Sequence, residues 1–337
     1  MKRLHQPNRL NKFYVIILLL LMVCNPAKAY DACVDGIYYN VNPNDKSADV
    51  TYAIDIDKDE IGSYYGIINI PSTINYMGVV YNVISIGKRT FYNCSKVTGI
   101  NIPESITYIG EEAFRGASSL KSLSIPNSVI TIGDYCFYDC SGLESITLPS
   151  DLTYISKKLF NHCNSLASLV IPNGVTSIEE QAMRYCESLT TIVIPDKVTT
   201  IGGQAFKSCV ELTSVTIGKS VSYMGHYIFR DCCKLKDVYC YAEEIETIEE
   251  GLFMNVDLSN ATLHVLSQSV NWYKEAEQWK EFGNIVALTN NDPQPTRIKE
   301  IPNEDNRVNH YYDLNGRLIE KLQKGLYIFN GKKMLAK

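Results

Sequence analysis
The sequence predicts a mainly β solenoid: a right-handed stack of 23-residue coils with an N-terminal cap, a C-terminal cap and a small C-terminal β-hairpin segment. Four sequence combs predict it. Cys94, Cys140, Cys163, Cys186, Cys209 and Cys232 stand on one 23-residue comb, with Ala117 in the missing place, and Phe91, Phe114, Phe137, Phe160, Phe206 and Phe229 stand on a second, with Met183 substituting once. Pro103, Pro126, Pro149, Pro172 and Pro195 form a third comb, continued by Gly218. Val97, Leu120, Leu143, Leu166, Leu189, Leu212 and Leu235 keep the same period. Units of this kind cannot bury an apolar face alone and must stack to do so.

The chain opens with a basic start and an apolar stretch at 13–23, the length of a signal-peptide core and short for a bilayer span. Ala27-Lys28-Ala29 supplies the small, spaced residues of a cleavage site, so residues 1–29 read as a signal peptide and the mature chain as starting at Tyr30. A competing reading makes Cys24 a lipidated cysteine, although Val23 is not the small residue such a site wants. The formal charge of −5 conceals a contrast: the first 29 residues hold five bases and no acid, leaving 27 basic against 37 acidic residues, or −10, in the rest. A body this acidic excludes nucleic acid as a default ligand.

Residues 30–80 read as a β-rich cap, with strand-like runs at 38–39, 50–54 and 67–71, and nine additional residues separate Pro71 from the first regular register. Residues 81–262 form the solenoid. In each unit Leu120, Leu123 and Ile125 alternate as a half-buried strand should, and the next proline, lacking an N–H, ends strand pairing at a corner. Ile106 and Ile109 then turn inward as a second, shorter strand, and Gly110 marks a bend. Ser156 and Glu179 occupy the same place, so a positive φ is not required there. Residues 111–114 read as one helical or 3₁₀ turn that drops Phe114 into the core.

Residues 263–288 form the C-terminal cap, with an amphipathic helical pattern over 270–285 that contains Trp272, Tyr273, Trp279 and Phe282. Residues 289–308 have linker composition, and 309–337 place Asn315-Gly316 and Asn330-Gly331 between apolar runs, as type I′ hairpins require.

The unit resembles that of the BspA-like leucine-rich repeat family of bacterial surface proteins, through Ile125-Pro126, Val129, Ile132-Gly133, Phe137, Cys140, Leu143 and Ile146, over about residues 60 to 288. The resemblance implies a leucine-rich repeat solenoid, a secreted or cell-surface location, binding to host or microbial proteins, and no enzymatic activity. The tail resembles the end of type IX secretion sorting domains through Tyr312-Asp313-Leu314-Asn315-Gly316-Arg317 and Gly325-Leu326-Tyr327-Ile328. It is shorter than a full sorting domain, and a hairpin stalk stays open as the alternative.

Eleven cysteines invite a disulfide or metal reading, but stacked comb positions point their side chains in parallel, and no Cys-x-x-Cys occurs. The comb cysteines therefore read as buried, reduced thiols. Cys33, Cys136, Cys233 and Cys240 lie off the comb and are the ones that could pair. His162 beside Cys163 is the nearest approach to a Cys-His nucleophile, but adjacent residues in a coil point apart. Asp55-Ile56-Asp57-Lys58-Asp59 imitates a calcium loop without its glycine or bidentate glutamate. Tyr64 and Tyr65 read as cap packing ahead of a sugar platform. No catalytic residue, metal ligand or cofactor is expected.

The remaining surface is the outward row of the stacked strands: Asn101, Ser124, Thr147, Val170, Val193, Thr216 and Tyr239, flanked by Ser122, Ser145, Ser168, Thr191, Ser214 and Asp237. Small side chains make it broad and smooth, better suited to another protein than to a metabolite. The expectation is a non-catalytic protein-binding or adhesion module acting on an extracellular host or microbial protein. An extracellular carbohydrate-binding protein using Trp272, Trp279 or Tyr64 is the alternative, and a structural spacer is the third reading.

Overall fold
The computed structural model describes residues 30–52 and 64–295, and the backbone of six short strands outside those ranges: Ile54–Asp55, Glu60–Ile61, Tyr311–Tyr312, Leu318–Ile319, Gly325–Phe329 and Lys332–Ala336. The leader with Cys24, residues 56–59 of the calcium-loop imitation, and 296–310 lie outside the described residues. The chain forms a β-solenoid of about 9 turns.

Each regular coil contributes two short parallel strands. The first row runs through Val97–Asn101, Ser122–Ser124, Ser145–Thr147, Thr191–Ile194, Ser214–Ile217, Asp237–Cys240, Thr262–Val265 and Asn284–Ala287. Its register follows the comb, Leu123 opposite Ile146 and Ile192 opposite Val215. The coil ending at Pro172 departs from the expected one strand per coil, since 166–171 carry none. At the corner a tight turn reverses the chain, with the Val129 N–H donating to the Pro126 carbonyl at 3.1 Å. The second row follows at Tyr108–Ile109, Thr131–Ile132, Tyr154–Ile155, Ser177–Ile178, Thr200–Ile201, Tyr223–Met224 and Thr247–Ile248.

The bend glycines then touch the preceding coil. A Cβ on Gly133 would come within 2.4 Å of the Glu111 backbone nitrogen, so close approach and not a positive φ selects glycine. Where Ser156 takes this place, its hydroxyl donates to the Ile132 carbonyl and the second row breaks between Thr131–Ile132 and Tyr154–Ile155.

Residues 111–114 are not the helical turn the sequence leads one to expect. Glu112 has φ 54° and Gly116 φ 74°, and the pair recurs one period on at Tyr135 and Asp139, then Lys158 and His162. Left-handed residues every fourth position convert a helix into a belt of linked turns. Alternate N–H groups close turns, as Ala117 to the Phe114 carbonyl at 3.0 Å, while the others cross to the next coil, as Glu112 to Asp134 at 2.9 Å, Phe114 to Cys136 at 2.9 Å and Gly116 to Tyr138 at 2.9 Å. The inter-coil bonds satisfy donors that a lone coil would leave unpaired.

The belt aligns the phenylalanines. Ring centroids of Phe91 and Phe114 are 5.2 Å apart, Phe114 and Phe137 5.2 Å, Phe137 and Phe160 5.6 Å, and, past Met183, Phe206 and Phe229 5.5 Å and Phe229 and Phe253 5.6 Å. Tyr64 covers one end, 4.9 Å from Phe91, with its hydroxyl donating to the Thr51 carbonyl. Trp279 and Phe282 meet Phe253 edge-on at the other.

In the N-terminal cap, antiparallel strands Ile37–Asn42 and Ser47–Thr51 pass through Val79–Ile86 into the second row. The nine additional residues supply a hairpin in which Thr73–Tyr76 pairs with Val79–Ile86 across Met77 and Gly78, both at positive φ. In the C-terminal cap the helix covers Val270–Glu275 and not 270–285: Ala276 is extended, Gln278 has φ 68°, and Asn284–Ala287 pairs as the last strand. Burying Trp279 and Phe282 over Phe253 requires the chain to leave the helical path. The described tail strands form a four-stranded antiparallel sheet with Phe329 opposite Lys332 and Tyr312 opposite Leu318. The Asn-Gly pairs between them lie outside the described residues.

Candidate functional site
Alternation along the first row points every second side chain outward. Asn101, Ser124, Thr147 and Val170 are exposed, Val170 at 66%. Val193 and Tyr239 are half-buried. Thr216, expected as part of the same exposed surface, is buried at 2%. It stands in register between the larger side chains of Val193 and Tyr239, one on each side. The row is thus open from Asn101 to Val170, half-buried or buried from Val193 to His264, and exposed again at Val286.

It is also less smooth than its small residues imply. Val97–Asn101 pairs with Gly66–Asn69 but not with Ser122–Ser124, and an open groove of about 510 Å³ lies at this break, with Ile100 and Leu123 on its floor and Asn101, Ser122 and Ser124 at its rim. Sequence reasoning missed this groove because nothing in the comb interrupts the Ser122–Ser124 register.

The groups considered for chemistry are engaged elsewhere. Comb cysteines are buried, and five of the six thiols donate to a carbonyl of the preceding coil, as Cys140 to Phe114 at 3.0 Å, Cys163 to Phe137 at 3.1 Å and Cys232 to Phe206 at 3.2 Å. Burial pushes the Cys140 thiol up to about 12, and Cys94 to about 11, far from a thiolate at neutral pH. The ten described cysteines are unbridged. Of the four off-comb candidates for pairing, Cys136 is buried, Cys240 bonds the Tyr273 hydroxyl at 3.1 Å, and Cys33 and Cys233 are exposed. The His162 ring stacks on Tyr185 at 4.4 Å while Cys163 faces the core. His226 pairs with Glu249 at 3.0 Å and His264 with Asp237 at 3.2 Å. Among the described residues no group of three or more His, Cys, Asp or Glu could hold a metal ion, and no helix is long and apolar enough to cross a membrane.

The residues named for sugar stacking are largely sealed: Trp279 is 0% and Tyr64 5% exposed. A ribbon that sequence reasoning missed runs along the belt instead. Arg89 lies over Tyr92 at 5.3 Å, Arg115 over Tyr138 at 4.7 Å, and Arg184 over Tyr185 at 4.6 Å. Buried Glu112 accepts from both Arg89 and Arg115. Burial opposes its charge, but the two guanidinium groups outweigh that and hold the carboxyl below its ordinary range. Arg115 reaches Tyr92 and Tyr138 of the coils on either side, at 5.5 and 4.7 Å, and His162 stacks on Tyr185 of the next coil, so the ribbon ties coils together. Its signal was the 23-residue series Tyr92, Arg115, Tyr138, a comb hidden by its alternating chemistry.

The fold and its open row define a stacked-coil repeat protein with a broad surface and no enclosed chemical centre among the described residues. The chain belongs to the family described as the BspA type leucine rich repeat region, which matches in six copies over residues 71–172 and 153–273. No curated protein matches it. It is similar to a solved leucine-rich repeat protein from Bacteroides ovatus ATCC 8483, with 22% identity, 77% of each chain covered and a TM-score of 0.46. It is also similar to a leucine rich cell surface protein from Faecalibacterium prausnitzii A2-165, with 21% identity, 80% of this chain and 97% of that one covered, and a TM-score of 0.46. A T. pallidum leucine rich repeat protein matches at 25% identity over 64% of this chain and 86% of that one, with a TM-score of 0.40. With TM-scores this low, family membership rests on the repeat itself.

Proposed function
We propose that the chain is a non-catalytic protein-binding or adhesion module, exported to the bacterial surface or secreted after cleavage near Ala29, whose strand face engages an extracellular host or microbial protein. The observation that carries this reading is the open part of the outward row. Asn101, Ser124, Thr147 and Val170 present small, uncharged, exposed groups on a rigid scaffold, a surface suited to a large partner. Membership in the repeat family supports an interaction role in general. What supports the non-catalytic reading is that the comb thiols are buried and that His226 and His264 pair with Glu249 and Asp237.

Binding arrays of extracellular proteins and glycans test the proposal with the mature chain and a Val170→Glu/Thr147→Arg variant. Selective capture of a protein, lost in the variant while the melt is unchanged, is the expected result. Glycan capture insensitive to these changes would favour the carbohydrate reading, and no capture of either kind would favour a spacer.

A further inference from the structure
Both strand rows stop at the same interface, between the coil of Phe137 and the coil of Phe160. The second row breaks between Thr131–Ile132 and Tyr154–Ile155, and the first has no strand at 166–171 to receive Ser145–Thr147. Elsewhere in the second row a pair of backbone bonds flanks each pairing. Ile130 donates to Thr107 at 3.0 Å and Gly133 to Ile109 at 2.8 Å; Thr176 donates to Thr153 at 2.8 Å and Glu179 to Ile155 at 2.9 Å. Among the described residues the equivalent bonds from Thr153 to Ile130 and from Ser156 to Ile132 are missing. The groove beside Ser122–Ser124 also interrupts the first row, but there the second row continues from Val79–Ile86 to Tyr108–Ile109. The backbone bonds that cross the doubly broken interface lie along the belt: Tyr135 to Lys157 at 2.9 Å, Phe137 to Leu159 at 3.0 Å, Asp139 to Asn161 at 2.8 Å and, just past it, Ser165 to Ser141 at 3.3 Å.

The cause sits at Ser156. At Gly133 and Gly202 a Cβ would come within 2.4 and 2.5 Å of a backbone nitrogen of the preceding coil, so a side chain at this bend presses the coils apart. Glu179 carries one and still sends its N–H to Ile155, because its carboxylate turns aside to accept from the Ser177 hydroxyl at 2.8 Å. The Ser156 hydroxyl instead takes the Ile132 carbonyl that the backbone N–H would use. We propose that this interface is a flexural joint, at which residues 64–148 and 149–295 pivot about the belt and part at the proline corner opposite it, with Ser156 keeping the strand rows unlatched. An interface hydrogen-bonded along one side resists separation there and yields to bending across it. The outward row straddles the joint, with Thr147 on one arm and Val170 on the other. That the joint adjusts the curvature offered to a partner rests on the strand-face reading; the joint itself does not.

Hydrogen exchange of the mature chain, read by mass spectrometry of overlapping peptic fragments, tests the joint directly. Amides at 153–156 should exchange about tenfold faster than those at 176–179 and 199–202, and rates no faster than these would overturn the proposal. Ser156→Gly and Ser156→Ala both remove the hydroxyl and return the Ile132 carbonyl to the backbone. Exchange at 153–156 should then slow to the rate at 176–179, and unchanged exchange in both variants would overturn the role of Ser156. The exposed Cys33 and Cys233 lie on opposite arms and accept spin labels without any substitution. The distribution of distances between the two labels should be about twofold narrower in either variant than in the unaltered chain, and equal widths would overturn the pivoting. These measurements need no partner, so an array without capture would remove the strand-face reading and leave the joint standing.

Discussion

Replacing Phe137 by alanine tests the element on which the stack depends. The ring is 0% exposed and lies 5.2 Å from Phe114 and 5.6 Å from Phe160, so its loss opens a cavity between two coil interfaces at once. A Phe→Ala change in a packed core costs about 3 to 5 kcal/mol. For a body of this size that corresponds to a fall in melting temperature of roughly 6 to 20 °C. Phe137→Met is the informative partner, because Met183 already fills the same comb position between Phe160 and Phe206. It keeps most of the volume and forfeits the two ring contacts, worth about 0.5 to 1.5 kcal/mol each. Val170→Ala, at 66% exposure, should stay within about 0.5 kcal/mol of the parent. Urea and thermal unfolding followed by circular dichroism would rank the three. If the alanine variant loses less than about 1 kcal/mol, or no more than Val170→Ala, the ring column is not what couples one coil to the next.

Alkylation of the native mature chain at pH 8.5 should modify Cys33 and Cys233, with the eight buried cysteines reacting only in denaturant, as mass spectrometry of peptic fragments would show. Because burial raises the Cys140 thiol to about 12 from an ordinary 9.0, its contribution to stability is complete below pH 9 and declines as pH rises from there toward 12, where the unfolded chain ionises first. Glu112→Gln should cost about 1 to 3 kcal/mol by removing the carboxylate shared by Arg89 and Arg115. In the parent that carboxyl is depressed below its ordinary 4.5, so its stabilisation is present above pH 4.5 and is lost as pH falls through the lower folded value; acid titration of the melt should show this component in the parent and not in the variant. Ser208, at φ 61°, should tolerate glycine with neutral or slightly improved stability, whereas valine there should cost about 1 to 2 kcal/mol in the same unfolding assay.

The combs made the coil, its core and both strand rows legible, because an apolar residue recurring every 23 positions has one way to be buried in a stack. The belt was not legible as turns. Glu112, Tyr135 and Lys158 are not residues that advertise a left-handed φ, and it is the inter-coil hydrogen bonds that hold them there. At the second such position, Asn93, Gly116, Asp139 and Asn255 do carry the signal, and it could have been found. The buried thiols were expected to serve as small apolar groups; their bonds to the Phe114 and Phe137 carbonyls depend on the offset between coils, which spacing alone does not fix. The row from Asn101 to Tyr239 reads as uniform because alternation assigns a face without saying how far neighbouring side chains cover it. Thr216, the smaller residue between Val193 and Tyr239, is buried there.

The inter-coil bonds of the belt all run one way, from an N–H in one coil to a carbonyl in the next, as in Phe91 to Ala113 and Phe114 to Cys136. Those flanking the second strand row run the other way, as in Thr107 to Ile84, Gly110 to Ile86 and Gly133 to Ile109. In an α-helix aligned peptide units sum to a macrodipole that asks for charge at each end. Here two opposed files of peptide dipoles run along the stack and largely offset one another. Its ends therefore have no strong polarity to neutralise, only apolar surface to cover, and the groups found against the terminal phenylalanines are accordingly rings: Tyr64 on Phe91, and Trp279 with Phe282 on Phe253.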